Sequence, residues 1–244
     1  GVLARVLGFY PVSNGVDDSV EHLREKVNQG YSLVVFPEGK RSLTNKVGRF
    51  HKGAFFLQKK LKIDILPIYF HGNAEVMPKN DFIIHNGSLT AKIGNRIAYN
   101  DSDFGETSRG RTKSISKFYK KELLKFREEL ETENYFKDIL FSNYLYKDKA
   151  ISKLIKQDFS THKKTYHLLN AKISENAKIL HVANDFGQID ILLISKFISR
   201  KITTYIQDAT KLTVAKNTYS NNYRKVVYCD TIQNIDLNEF DTLL

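Results

Sequence analysis

A single carboxylate set among several cations is the feature of this chain best suited to chemistry. Pro37-Glu38-Gly39-Lys40-Arg41 follows the apolar run Leu33-Val34-Val35-Phe36, and Lys46, Arg49 and Lys52 come soon after. Arg41 offers a two-pronged guanidinium to a phosphate, and Lys52 a point charge. Pro37 fixes the turn, and Gly39 lets backbone approach a ligand closely. Lys52-Gly53 opens a helix whose first amides also favour an anion. The chemistry implied is capture of a negatively charged group beside one acid, Glu38. Taken one at a time, these residues fit an ordinary turn with a solvated basic surface. His51 lies in the same loop, where either a base or a ligand contact would sit.

The elements around the loop follow from hydrophobic period. Val20, Leu23 and Val27 share a face over Asp18–Asn28 and predict a helix that Gln29-Gly30 closes. Ser32–Phe36 is a continuous apolar run with β-branched residues, expected to be a buried parallel strand that delivers Pro37-Glu38-Gly39 to its carboxyl end. Phe50–Leu61 predicts a second helix and Ile63–His71 another buried strand. Phe82–His85 and Leu89–Ile93 predict a hairpin around Asn86-Gly87. Thr112–Glu131 predicts a long helix with Ile115, Phe118, Leu123, Phe126 and Leu130 as its apolar side. Helices then run from Tyr135 to Leu169. Strands at Lys178–Val182, Ile202–Ile206 and Lys225–Tyr228 alternate with helices at Ile189–Ile198 and Leu212–Asn217, and Phe240–Leu244 reads as a further strand. Strand–helix alternation of this kind is an α/β pattern.

The chain has 244 residues, of which 41% are hydrophobic and 27% charged, enough for two folded units. Its one cysteine, Cys229, excludes an internal disulfide and a Cys-rich zinc site. The net charge is +11 and unevenly spread: residues 1–130 hold 22 Lys/Arg against 14 Asp/Glu, and residues 131–244 hold 16 against 13. The excess of +8 in the first part, against +3 in the second, places an anionic partner on the first part. No stretch reaches the roughly 20 apolar residues of a membrane span, and no signal peptide is recognisable. Aromatics are not interleaved with the cations as on a stacking platform, so nucleic acid is not an expected partner.

Taken as a string, Phe36-Pro37-Glu38-Gly39-Lys40-Arg41-Ser42 resembles the FPEGTRS block of the glycerolipid acyltransferase family, the lysophosphatidate-acyltransferase-like enzymes. Gly48-Arg49-Phe50-His51-Lys52-Gly53-Ala54-Phe55 is similar to the segment that follows it there, Ile65-Leu66-Pro67-Ile68 to a later strand, and Gly94-Asn95-Arg96-Ile97 to a strand end. The resemblance covers roughly residues 1–130. It implies acyl transfer from acyl-CoA or an acyl carrier protein to a hydroxyl of a glycerophosphate-like or related lipid acceptor. Glu38, Gly39, Lys40, Arg41 and Lys52 would bind the acceptor, and Pro67 would shape the acyl side. The family's base is a histidine five residues before an aspartate, and none of the seven histidines here has that partner. The resemblance places that block upstream of Gly1, so the chain reads as a fragment whose own transfer activity is absent. Gly8-Phe9-Tyr10-Pro11-Val12-Ser13-Asn14-Gly15 is similar to the family's second block. Asn14 stands there where arginine is usual, which leaves the acceptor phosphate with one cation fewer.

In the second half, Ile179–Asp190 resembles the first block of class I methyltransferases in degraded form. Only Gly187 of the expected glycines remains, His181 stands where aspartate is common, and strand Thr203–Ile206 ends without the ribose-binding carboxylate unless Asp208 reaches. S-adenosylmethionine is therefore not an expected cofactor.

The expected organisation is α/β throughout. A truncated acyltransferase sheet domain spans residues 1–131, a helical linker 132–170, and a partial Rossmann-like domain 171–244. The order of units is similar to that of large bacterial membrane proteins, which implies an anionic membrane surface as partner, at the cytoplasmic face of an inner membrane. The alternative is a non-catalytic lipid- or anion-binding module fused to a degenerate methyltransferase-like domain.

Overall fold

A computed structural model describes residues 16–40, 42, 46–77, 84, 87–218, 226–233 and 235–244. The elements in chain order are α1 (Val16–Asn28), α2 (Lys52–Leu61), β1 (Ile68–His71), α3 (Asn73–Val76), β2 (Thr90–Ile93), α4 (Ser108–Leu130), α5 (Lys137–Ser142), α6 (Lys149–Lys172), β3 (Lys178–Ala183), α7 (Gln188–Lys196), β4 (Lys201–Ile206), α8 (Ala209–Lys216), β5 (Val226–Cys229) and β6 (Thr242–Leu243). The molecule is mixed α/β. It divides into two compact units, one of residues 1–42, 47–70 and 91–124, the other of residues 43–46, 71–90 and 125–244.

In the first unit α1 ends on Gly30 at φ 89°, where Gly30 N–H donates to Val27 O and Tyr31 N–H to Lys26 O, satisfying carbonyls the helix leaves open. The core gathers Phe50, Phe55, Ile97 and Ile115, with Ile65, Phe104 and Phe118 against it. Ile65 and Ile97 form an antiparallel bridge, and Gly94 N–H donates to Pro67 O at 2.8 Å. The buried Arg111 ties three segments together, donating to Gln58 Oε1 and to the carbonyls of Ala98 and Asp101.

Two expectations for this unit need correction. Residues 31–36 belong to no ladder, and Val34 and Phe36 are 80% and 69% exposed. An apolar, β-branched run states that a segment suits a buried strand; the ladder itself also needs a neighbour's N–H and C=O groups in register. Among the described residues β1 pairs with β2 alone. For the same reason the Ile63–His71 run is not buried throughout: β1 alternates, with Tyr69 and His71 covered and Ile68 and Phe70 open. The first arm of the expected hairpin lies outside the described residues apart from Ile84, and β2, its second arm, lies beside β1.

The second unit holds four parallel strands in the order β5-β4-β3-β6. β3 and β4 run in register from Lys178↔Lys201 to Ala183↔Ile206, and β4 meets β5 from Ile202↔Val226 to Tyr205↔Cys229. Ile179, Ile202, Ile206, Val226 and Tyr228 share one core with Leu193 and Ile194 of α7 and Leu212 and Ala215 of α8. A second core joins Phe136, Leu140 and Tyr144 of the α5 region to Ile155 and Phe159 of α6 and Ile191 and Leu192 of α7. Helices α5 and α6 thus pack directly on the sheet's own helix layer.

Candidate functional site

The turn at Pro37-Glu38-Gly39 is held by the loop that follows it. Gly39 N–H donates to Phe36 O at 3.0 Å, and His51 N–H donates to Pro37 O at 2.7 Å. Glu38 Oε2 accepts from Gly48 N–H at 2.6 Å, the short distance of a hydrogen bond to a charged acceptor. Gly39 sits at φ 66°, a left-handed conformation that disfavours any side chain, and a Cβ there would meet the His51 ring at 3.4 Å. His51 precedes α2 in extended backbone with no side-chain capping bond, and Lys52 stands at the first helical position.

Lys40, Arg49 and Lys52 are exposed around this turn. Arg41 lies outside the described residues. Lys46, counted with the same cluster from sequence, is committed within the second unit, donating to Asn176 Oδ1 at 2.8 Å and pairing with Glu175 at 3.0 Å. Pro67 is buried one residue before β1. Beside it, Ile68 O accepts from Tyr119 Oη at 2.9 Å, and the Tyr119 ring lies 5.5 Å from Phe50 and 4.7 Å from Tyr69. Burial, then the charges of Tyr69 and Glu38, push the Tyr119 hydroxyl up to about 12. Tyr119 thus meets the carbonyl next to Pro67 and lies within range of the Glu38 charge, while Gly39 adjoins the His51 ring. Sequence reading missed Tyr69 and Tyr119; their period on β1 and α4 marks them only as core.

In the second unit the β3–α7 loop closes on itself. Asp185 Oδ1 accepts from Gly187 N–H at 2.8 Å, Gln188 Oε1 accepts from Phe186 N–H at 2.9 Å, and Tyr144 Oη donates to Phe186 O at 2.8 Å. Gly187 sits at φ 84°, and a Cβ there would stand 2.6 Å from Tyr228 Oη. Beneath the loop, Asp190 is fully buried, with His181 Nδ1 at 2.8 Å and Thr204 Oγ1 donating at 2.9 Å. Burial acts to lower the His181 pKa, but the hydrogen bond and charge of Asp190 outweigh it and raise it. Burial and the Asp190 charge push Asp185 up to about 6. Asp208 serves as the N-cap of α8, accepting from Lys211 N–H at 2.9 Å. Among the described residues no group of His, Cys, Asp and Glu is arranged to hold a metal.

Comparison with known proteins bears on the first half. Residues 1–71 match the family model described as Acyltransferase. The chain is 32% identical over 87 residues to a chloroplastic 1-acyl-sn-glycerol-3-phosphate acyltransferase of Brassica napus, a match covering 35% of this chain and 25% of that protein. It is 31% identical over 87 residues to a chloroplastic enzyme of the same name from Arabidopsis thaliana, covering 35% and 24%. An enzyme of that name from Chlamydomonas reinhardtii is 36% identical over 59 residues, covering 24% and 18%. The chain spans about a quarter of the length of the curated relatives it matches, which are plant and algal. No solved structure matches it. These likenesses support the acyltransferase reading and a role in lipid biosynthesis.

Proposed function

We propose that this chain carries the acceptor-binding part of a glycerolipid acyltransferase. Gly39, Lys40, Arg41 and Lys52 form the seat for the acceptor's phosphate, Glu38 belongs to the turn that carries it, and Pro67 borders the acyl side. The observation that carries this reading is the closed turn at Gly39, which sets exposed cations and the open end of α2 together at the FPEG string. The acceptor is a lysophospholipid-like alcohol and the donor acyl-CoA or acyl carrier protein. A histidine outside this sequence takes the hydroxyl proton, so that the alkoxide attacks the thioester carbonyl. Without that base the chain alone binds acceptor and transfers nothing, since proton transfer by a positioned base supplies roughly 10²–10⁴-fold. We place the protein at an anionic membrane surface on the cytoplasmic side, peripherally or as part of a larger membrane protein. No helix among the described residues is long and apolar enough to cross a membrane.

The domain reading is an acyltransferase domain over 1–131, a helical segment over 132–170 and a Rossmann-like domain over 171–244. The strand order β5-β4-β3-β6 supports the last of these, being the 3-2-1-4 part of that fold's sheet with its switch point between β3 and β6. The closed β3–α7 loop supports a reading without S-adenosylmethionine. Its Phe186 and Gly187 amides are taken by Gln188 and Asp185, and the Tyr228 hydroxyl abuts Gly187.

Calorimetry of the full chain with sn-glycerol 3-phosphate and, separately, coenzyme A tests the seat. Arg41→Ala and Lys52→Ala are expected to weaken glycerol phosphate about tenfold each, the scale of one charge-assisted contact, and to leave coenzyme A within twofold. Equal losses for both ligands overturn the assignment.

A further inference from the structure

We propose that Glu38 is a positioning residue of the cationic loop, acting by tying the Gly48 amide rather than by touching the bound anion. This rests on reading the loop as an anion seat. The carboxylate spans ten residues of chain to accept from Gly48 N–H at 2.6 Å, and His51 N–H closes the same loop on Pro37 O at 2.7 Å. The two bonds fix both arms of the segment that presents Arg49 and Lys52. A Cβ at Gly48 would stand 2.9 Å from Glu38 Oε2, so any side chain there would displace the carboxylate end and with it the tie. An ionised carboxylate repels a phosphate and cannot donate a hydrogen bond to it. Its useful act in an anion seat is to hold the amide that places the cations.

The test uses the full chain with Glu38→Gln, Glu38→Ala and Gly48→Ala, read by amide exchange at residue 48 and by calorimetry with inorganic phosphate and sn-glycerol 3-phosphate. Gln keeps an acceptor oxygen, so Glu38→Gln is expected to keep the amide protected and anion affinity within about threefold, or to tighten it through lost repulsion. Glu38→Ala breaks the tie from one side and Gly48→Ala from the other; each is expected to lose protection and about tenfold in affinity. If Glu38→Gln loses affinity as Glu38→Ala does while the amide stays protected, the carboxylate contacts the ligand and the proposal is overturned. An unprotected Gly48 amide in the wild type overturns it too, as does a Gly48→Ala protein that loses protection but keeps its affinity. A wild type that binds neither anion yet shows the protection pattern supports the tie and sinks the anion seat.

Discussion

His71 lies within the second unit with its Nε2 fully buried, 3.3 Å from Glu131 Oε1 but outside hydrogen-bonding geometry. Its ring stacks on Tyr135 at 5.0 Å. Arg127 Nη2 meets the same Glu131 oxygen at 2.7 Å, so that carboxylate is already engaged. Burial, then the Arg127 charge, lower His71 from 6.5 to about 4. The folded state therefore prefers the neutral ring, while the unfolded chain takes up a proton below pH 6.5. Stability from this site is complete above pH 6.5 and is lost as pH falls toward 4. The expected loss is about 2–3 kcal/mol across that window. Urea unfolding of His71→Phe, which keeps the stack, should therefore gain on the wild type as pH falls from 7 to 4. A difference that does not change with pH would refute the burial argument. Glu38 and His71 were both visible as letters, but the sequence could not say that one ties an amide and the other hides a nitrogen. Both facts depend on residues ten or more positions away.

Among the elements, the α6–β3 connection depends on one arginine. Arg200 is 2% exposed and donates to Asn170 O, Asn170 Oδ1, Ile173 O, Ser174 O and Leu193 O. Its guanidinium lies 4.9 Å over Phe197, and burial brings its pKa down to about 10. Those carbonyls include the open end of α6, which would otherwise be buried without donors. Arg200→Ala is expected to cost about 3–5 kcal/mol in urea unfolding, and Arg200→Lys to recover little, because three ammonium donors cannot reproduce the fork. At the start of α7, Gly187→Ala combines a left-handed φ with the Tyr228 hydroxyl 2.6 Å from the new Cβ. A loss of about 2–4 kcal/mol is expected, part of it restored by adding Tyr228→Phe. The helix and strand positions in this unit were legible because periodic apolar residues coincide with local stop signals. The strand order was not, since it is set by which faces α7 and α8 cover.

Across the whole molecule the two units differ in how well their strands are satisfied. β3 and β4 are paired along their full length, whereas residues 31–36 have no ladder. Amide exchange should therefore be fast from Ser32 to Phe36 and slow from Ile179 to Val182 and from Ile202 to Tyr205. Slow exchange at Val34 and Val35 would mean that the run is paired after all. The charge excess of +8 on residues 1–130 is expected to bind the full chain to vesicles of phosphatidylserine and phosphatidylcholine at low salt. Release should be complete near 0.5 M salt, where screening is short. Binding to pure phosphatidylcholine that survives high salt would point to apolar contact instead.

By itself the sequence determined the α/β class, the place of most helices, the cationic turn at Glu38-Gly39 and the likeness to acyltransferases, because each is written in neighbouring residues: apolar period, glycine and proline positions, and a contiguous string. Only the tertiary structure decided that Ser32–Phe36 lies open, that Glu38 is bonded to Gly48, that Lys46 serves another segment and that the Gly187 loop fills its own amides. A residue's type sets which bonds it can make; which partner comes within 3 Å is fixed by how distant segments pack.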